Sequence, residues 1–203
     1  MKRVVCVCCV VVLSACLETR AGASSGWSRE GLDINRQIEE VAKTGGGRVT
    51  VPAGRWETKP IRLASNVELH FEDGADLLFT DDLEAFLPAV RTSWEGIEIM
   101  GYSPLVYACG CTNVAVTGKG IVAPRVEGWV PWKNPKGMAA ARATQRAWGE
   151  EAVPLVKRDV TKMVDAGFRP HLFQFLGCRG VLLEGFAIRG SPFWTIHLCR
   201  TED

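Results

Sequence analysis

Histidine and tyrosine are scarce in this 203-residue chain, at three and two residues. Neither sign of charge is in excess, because 24 lysines and arginines meet 23 aspartates and glutamates for a net charge of +1. That balance leaves no basic surplus for nucleic acid and no acidic tail. So few histidines give no three-histidine or histidine–carboxylate metal spacing. Neither His171 nor His197 has a serine or cysteine arranged with it as a triad. Gly118-Lys119-Gly120 lacks the spacing of a nucleotide motif. Gly45-Gly46-Gly47 follows a helical pattern, where a phosphate loop would precede one. Clustered calcium ligands are missing as well. The expectation is a protein with no cofactor, no metal and no nucleic-acid partner.

Long apolar runs are also missing. The longest stands at the start, where Met1-Lys2-Arg3 is followed by Val4 to Leu13. This run is too short to span a bilayer and reads as the apolar region of a signal peptide. Residues 1–23 are therefore expected to be an export signal with two candidate processing sites. Leu13-Ser14-Ala15-Cys16 resembles the lipobox of bacterial lipoproteins, which would leave a lipidated Cys16; Ala21-Gly22-Ala23 fits ordinary cleavage. The expected location is the periplasm, the outer membrane through a lipid anchor, or the exterior of a bacterium. Of eight cysteines, four belong to or border the leader. Cys109, Cys111, Cys178 and Cys199 lack zinc-site pairing and are read as inward-facing core thiols, with one disulfide left open.

Hydrophobic residues at 47% and charged residues at 23% describe a globular chain. It is long enough for one domain, or for several coils of a larger one. The 21 glycines suit many tight corners. Asp33 can cap a helix running to about Thr44, with Ile34, Ile38 and Val41 on one face. From Arg48 onward the pattern changes to short strands between turns: Arg48 to Val51, Ile61 to Leu63, the alternating Val67 to Phe71, and Leu77 to Phe79.

A repeat separates stacked coils from a hairpin meander. Asn66-Val67-Glu68-Leu69 recurs as Asn113-Val114-Ala115-Val116 and as Gly180-Val181-Leu182-Leu183. Leu105 to Cys111 aligns with Leu172 to Cys178, and Ile121 with Ile188. Cys178 and Cys199, each followed by arginine, are spaced 199 − 178 = 21 positions apart, which suggests a coil of that length. The helix from Asp33 is then expected to cover the apolar end of the stack. An insertion from about Pro124 to Phe168 carries a predicted helix over Gly137 to Glu151 and another over Leu155 to Ala166. Its Trp129, Trp132 and Trp148 are expected to pack it onto the coils, with sugar stacking as the alternative.

Few residues invite chemistry. Asp81-Asp82 and Glu150-Glu151 sit in acidic, solvated stretches with no partners expected of a hydrolase pair. His70 alternates with Glu68 on a predicted strand and reads as solvated. His171, just after Arg169-Pro170, reads equally as a structural histidine or a substrate contact. His197, close to Trp194 at a strand end, reads as a contact.

Several runs resemble the polygalacturonase-type family of glycoside hydrolases. They are Gly45 to Gly54, Leu63 to Leu69, Trp94-Glu95-Gly96, Tyr102 to Tyr107, Asn113 to Gly120, Arg169-Pro170, and above all Ser191-Pro192-Phe193-Trp194-Thr195-Ile196-His197. The resemblance covers about Asp33 to Arg200 and implies an all-β, right-handed parallel β-helix that hydrolyses pectic polysaccharide with inversion. It suggests Arg169, Trp194 and His197 as substrate contacts, a pectic polysaccharide or oligogalacturonide as partner, and a monomer when complete. In that family the catalytic aspartates sit in an Asn-Thr-Asp motif and an Asp-Asp pair, before Gly-His-Gly and Arg-Ile-Lys motifs. All of these come after the Ser-Pro-Phe-Trp segment, and none has a counterpart here; Asp81-Asp82 lies several coils too early. Residues 24–203 are accordingly expected to be a partial domain truncated before its catalytic motifs, an inactive N-terminal fragment. Two departures stand out: Ile121-Val122-Ala123-Pro124-Arg125 replaces a frequent Asp-Gly-x-Gly turn, and Thr201-Glu202-Asp203 replaces an expected Asn-Val. The alternative is a non-catalytic β-helix that binds polysaccharide or acts at the cell surface.

Overall fold

The computed structural model describes residues 11–12, 26–28, 31–163 and 165–203. Cys16 and both candidate cleavage sites lie outside the described residues. Strand β1 is Val11–Val12. Asp33 starts helix α1, Ile34–Lys43, its carboxylate accepting from the Arg36 amide at 3.1 Å. That bond satisfies one of the open amides of the first turn. Ile34 and Ile38 are buried in the main core, so the expected end-capping helix is present.

Four coils follow among the described residues. The first holds β2 (Gly47–Val51), β3 (Gly54–Thr58) and β4 (Ile61–Arg62). The second holds β5 (Val67–Phe71) and β6 (Ala75–Phe79). It then makes an excursion through β7 (Val90–Trp94) and β8 (Ile97–Gly101) before closing with β9 (Val106–Cys109). The third holds β10 (Thr112–Gly118) and β11 (Ile121–Pro124), then α2 (Val126–Trp129) and α3 (Met138–Glu150) in the insertion, then β12 (Phe173–Leu176). The fourth holds β13 (Arg179–Glu184), β14 (Ala187–Ile188) and β15 (Ile196–Cys199). Strands of successive coils pair in parallel in the orders β2-β5-β10-β13, β3-β6-β11-β14-β1 and β4-β9-β12-β15. Such short strands bury too little alone and become stable by stacking. The architecture is a parallel β-helix.

Most of the expected register is observed. Ala115 pairs with Glu68, Val114 with Val181, and Val106 with Phe173. One alignment shifts: Ile188 pairs with Val122, and Ile121 with Ala187. Thr117 is still level with Glu184, so the corner leading to β14 is one residue shorter than the corner leading to β11. The coil length also differs from the cysteine spacing. Leu176 pairs with Cys199, a step of 199 − 176 = 23 positions. Cys178 therefore stands level with Cys111, because the residues after them, Arg179 and Thr112, are partners. All four thiols are free; Cys178 is buried and Cys111 packs against the core, whereas Cys199 is half-buried and Cys109 exposed. Inward packing thus holds for two of the four.

The interior is apolar along its length. Phe186 lies 5.9 Å from Phe71 and 5.4 Å from Phe173, centroid to centroid, linking three coils. Gly118 marks how closely the coils approach. Its φ is +109°, and a Cβ there would sit 2.0 Å from the Phe71 carbonyl oxygen. Only glycine fits.

The insertion packs through its tryptophans. Trp129 is 1% exposed and meets Phe86 edge-on at 5.2 Å, and Trp132 meets Tyr102 at 5.8 Å. The predicted second helix over 155–166 is replaced by two short 3-10 turns, Leu155–Lys157 and Val160–Lys162. Asp159 interrupts between them. Its carboxylate accepts from the Thr161 amide at 3.0 Å and hydroxyl at 2.6 Å, a local alternative to the helical ladder. A second apolar cluster joins Trp94 and Ile99 of the hairpin to Ala141, Val160, Ala166 and Phe168 of the insertion. Gln145 of α3 donates to the Trp94 carbonyl at 2.7 Å.

Candidate functional site

Strand β12 alternates. Phe173 and Phe175 belong to the core, while Gln174 points to the opposite side of the sheet, as the two-residue period requires. Tyr107, Gln174 and His197 are register partners on β9, β12 and β15, and so form one outward row across three coils. The β7–β8 hairpin roofs this row. Its turn residues Glu95 and Gly96 have φ of 46° and 87°, the doubly positive geometry that suits a two-residue hairpin loop.

Polar contacts fasten the roof to the sheet. The Tyr107 hydroxyl donates to the Arg91 carbonyl. The Thr92 hydroxyl donates to Gln174 Oε1 at 2.6 Å. His171 Nε2 donates to the Ser93 carbonyl at 2.8 Å, and Gln174 Nε2 lies 3.5 Å from the same oxygen. Glu98 of β8 binds Arg91 at 2.9 Å and also engages Arg200, just past β15.

Aromatic rings complete the wall. Trp94 stacks on Phe193 at 3.8 Å with 4° between planes. The Arg169 guanidinium lies 5.2 Å from the Phe193 centroid, and its Nη1 donates to the Pro192 carbonyl at 2.9 Å. Trp194, 48% exposed, stands 5.1 Å from His197, which is 4.4 Å from His171. Of the residues read from sequence as substrate contacts, Arg169 and Trp194 lie against Phe193, and His197 stands beside Trp194.

Burial controls the protonation of this region. It pushes His171 down to about 4, helped by the nearby His197 and opposed by the bond to Ser93. His197 is lowered by burial. Arg169 is lowered first by burial and then by repulsion from Arg142, and Tyr107 is raised by burial. Near neutral pH both imidazoles are therefore neutral, with His171 buried and bonded to Ser93, and the site presents the His197 ring, a guanidinium and exposed indole. Flat apolar faces beside a cation and N–H donors suit a sugar ring carrying an anionic group.

The other candidates stand elsewhere. Asp82 caps a short 3-10 turn, accepting from the Glu84 amide at 3.2 Å. Glu150 and Glu151 are exposed at the end of α3. His70, expected to be solvated, is half-buried and bonded through Nδ1 to the Thr117 hydroxyl at 2.7 Å, which in turn donates to Glu68 at 2.6 Å. Thr92, Ser93 and Gln174 were not anticipated. For Gln174 a signal existed, since a polar residue between Phe173 and Phe175 occupies the outward position that His197 takes in the next coil. For Thr92 and Ser93 none did, because their neighbours come from a different coil.

No family model matches the chain, and no curated protein sequence does. Solved structures do match. The crystal structure of a hyperthermoactive exopolygalacturonase from Thermotoga maritima is 40% identical with a TM-score of 0.77; the match covers 83% of this chain and 39% of that one. The Yersinia enterocolitica Family 28 exopolygalacturonase is 20% identical with a TM-score of 0.55, over 83% of this chain and 33% of that one, and supports the fold. The chain spans well under half the length of both. Over the residues it shares with the Thermotoga maritima enzyme, the chain belongs to the polygalacturonase-type family of glycoside hydrolases.

Proposed function

We propose that the face roofed by the β7–β8 hairpin is one wall of a cleft for pectic polysaccharide, and that these coils serve an inverting glycoside hydrolase. The observation that carries this reading is the convergence of Arg169, Trp194 and His197 on one face in a chain 40% identical to an exopolygalacturonase. Trp194 offers an apolar face to a sugar ring, Arg169 a cation to a uronate carboxylate, and His197 an N–H to a ring or carboxylate oxygen. Inversion needs one carboxylic acid to protonate the leaving glycosidic oxygen and a second carboxylate to take a proton from the attacking water. No carboxylate on this face stands in such a pair among the described residues. We assign both roles to aspartates outside these 203 residues. Export, anchoring through a lipidated Cys16 and action as a monomer complete the proposal.

Reducing-end release from polygalacturonate, measured for this chain and for the product of a longer reading frame, tests it. The expected outcome is release by the longer product alone. Turnover by the purified 203-residue chain would overturn the assignment of catalysis to other residues. Failure of both proteins to cleave or bind oligogalacturonate would overturn the pectic reading.

A further inference from the structure

We propose that Gln174, backed by Thr92, is a positioning residue that holds His197 as the neutral tautomer with its proton on Nε2, so that one N–H donor faces the substrate side of the wall. The use of that donor by substrate rests on the reading above; the positioning does not.

Gln174 is 0% exposed, so its amide has to be satisfied within the protein. Its Oε1 lies 2.6 Å from the Thr92 hydroxyl, a group able to donate or accept, which alone does not orient the amide. The Ser93 carbonyl does. It can only accept, and it lies 3.5 Å from Gln174 Nε2. The flipped amide would set Oε1 against that carbonyl, oxygen to oxygen. With Nε2 as donor, its 2.9 Å contact to His197 Nδ1 requires a bare lone pair there. The single proton of the neutral ring then sits on Nε2, on the side away from Gln174, where it makes no hydrogen bond within the described residues.

The surroundings reinforce neutrality. The Ser93 carbonyl also takes the Nε2 proton of His171, so one oxygen orients both histidines, whose rings are 4.4 Å apart. Protonating His197 would turn Nδ1–H toward the amide N–H, donor against donor. The other titratable groups on elements packed at this face are His171, Tyr107, Arg62, Arg91, Glu95, Glu98, Arg142, Arg169 and Arg200. Both carboxylates among them are engaged by arginines, Glu98 by Arg91 and Arg200 and Glu95 by Arg142. No carboxylate contacts His197 among the described residues. The ring is thus built as a fixed donor and not as a proton carrier.

Long-range nitrogen–proton correlation spectra of the histidine rings in the full chain test this, titrated between about pH 4 and 8. The expected wild-type pattern is a bare Nδ1 and a protonated Nε2 on His197. Gln174→Glu places an acceptor opposite Nδ1, so the proton should move to Nδ1 and the protonation midpoint rise by about one unit, a tenfold gain in proton affinity. Thr92→Val leaves the amide without its anchor and should yield a mixture of tautomers. A wild-type His197 carrying its proton on Nδ1 overturns the proposal, as does a folded Gln174→Glu protein with an unmoved midpoint. If Gln174→Glu fails to fold, the wild-type tautomer and the Thr92→Val spectrum decide. Digalacturonate should then shift the His197 Nε2 proton. An unmoved proton in a ring of the stated tautomer supports the positioning and overturns the pectic reading.

Discussion

Asn113 donates from its side-chain amide to the Asn66 side-chain oxygen at 3.0 Å, joining two coils at one corner. Both residues are left-handed, with φ of 51° and 62°, and Gly180 takes the same place in the next coil at 67°. Asparagine and glycine are the residues that tolerate this conformation. The corner therefore meets a backbone requirement and, with asparagine, adds a bond between coils. A second stacked corner runs from Gly110 and Gly177 to Arg200, whose φ is 52°. There the side chain is tied to Glu98 of the hairpin.

Replacing Asn113 separates the two contributions. Asn113→Ala should destabilise by roughly 2–3 kcal/mol, combining left-handed strain of about 1–2 with a lost hydrogen bond of about 1. Asn113→Gly keeps the conformational freedom and should cost under about 1 kcal/mol. Urea denaturation of both variants checks the difference. Equal losses would show that strain is unimportant at this corner.

Gly118→Ala should be much worse than Gly45→Ala, although both glycines have positive φ. A Cβ on Gly118 meets the Phe71 carbonyl at 2.0 Å, backbone that cannot swing away, whereas nothing lies within 4 Å at Gly45. We expect about 1–2 kcal/mol at Gly45 and more than about 4 kcal/mol at Gly118. Soluble yield and thermal melting report the contrast.

The tryptophans of the candidate site should divide between stability and binding. Trp94 is 3% exposed and stacked on Phe193, so Trp94→Ala is expected to cost about 3–5 kcal/mol. Trp194 is about half exposed, and Trp194→Ala should change stability by less than about 1 kcal/mol. On the proposed pectic reading it should weaken oligogalacturonate binding by roughly 0.5–1.5 kcal/mol, the scale of a contact with an aromatic face. Calorimetric titration beside a melting curve distinguishes the two effects.

His171 makes the fold acid-sensitive. Its folded value of about 4 lies below the ordinary 6.5, so between these values the unfolded chain binds more protons. Stability then rises with pH. The contribution is complete above pH 6.5, falls as the pH drops toward 4, and amounts to roughly 3 kcal/mol at most. His171→Gln should flatten this part of the stability–pH profile. A midpoint that varies identically with pH in both proteins would exclude His171 as the source.

Local features made the architecture legible. Asp33 before an amphipathic run marked α1, and the recurrence of Asn66, Asn113 and Gly180 marked the stacked corners. Both signals come from a few neighbouring residues with fixed conformational preferences. The cysteine spacing is shorter than the coil because Cys178 and Cys199 occupy different positions in their coils, one before β13 and one at the end of β15. The predicted helix over 155–166 failed because the side chain of Asp159 competes for the backbone.

The stacking of short parallel strands, the helix that closes their end and the segment bearing Arg169, Trp194 and His197 are all legible along the chain. These follow from period, turn chemistry and motif, which are local. That a hairpin from the second coil covers that segment emerges only once the coils are stacked. Thr92 lies 82 positions from Gln174 and Ser93 lies 78 from His171, so no local pattern records their meeting. It arises because parallel coils bring distant residues into one outward row, and because the hairpin carries the acceptor that orients them.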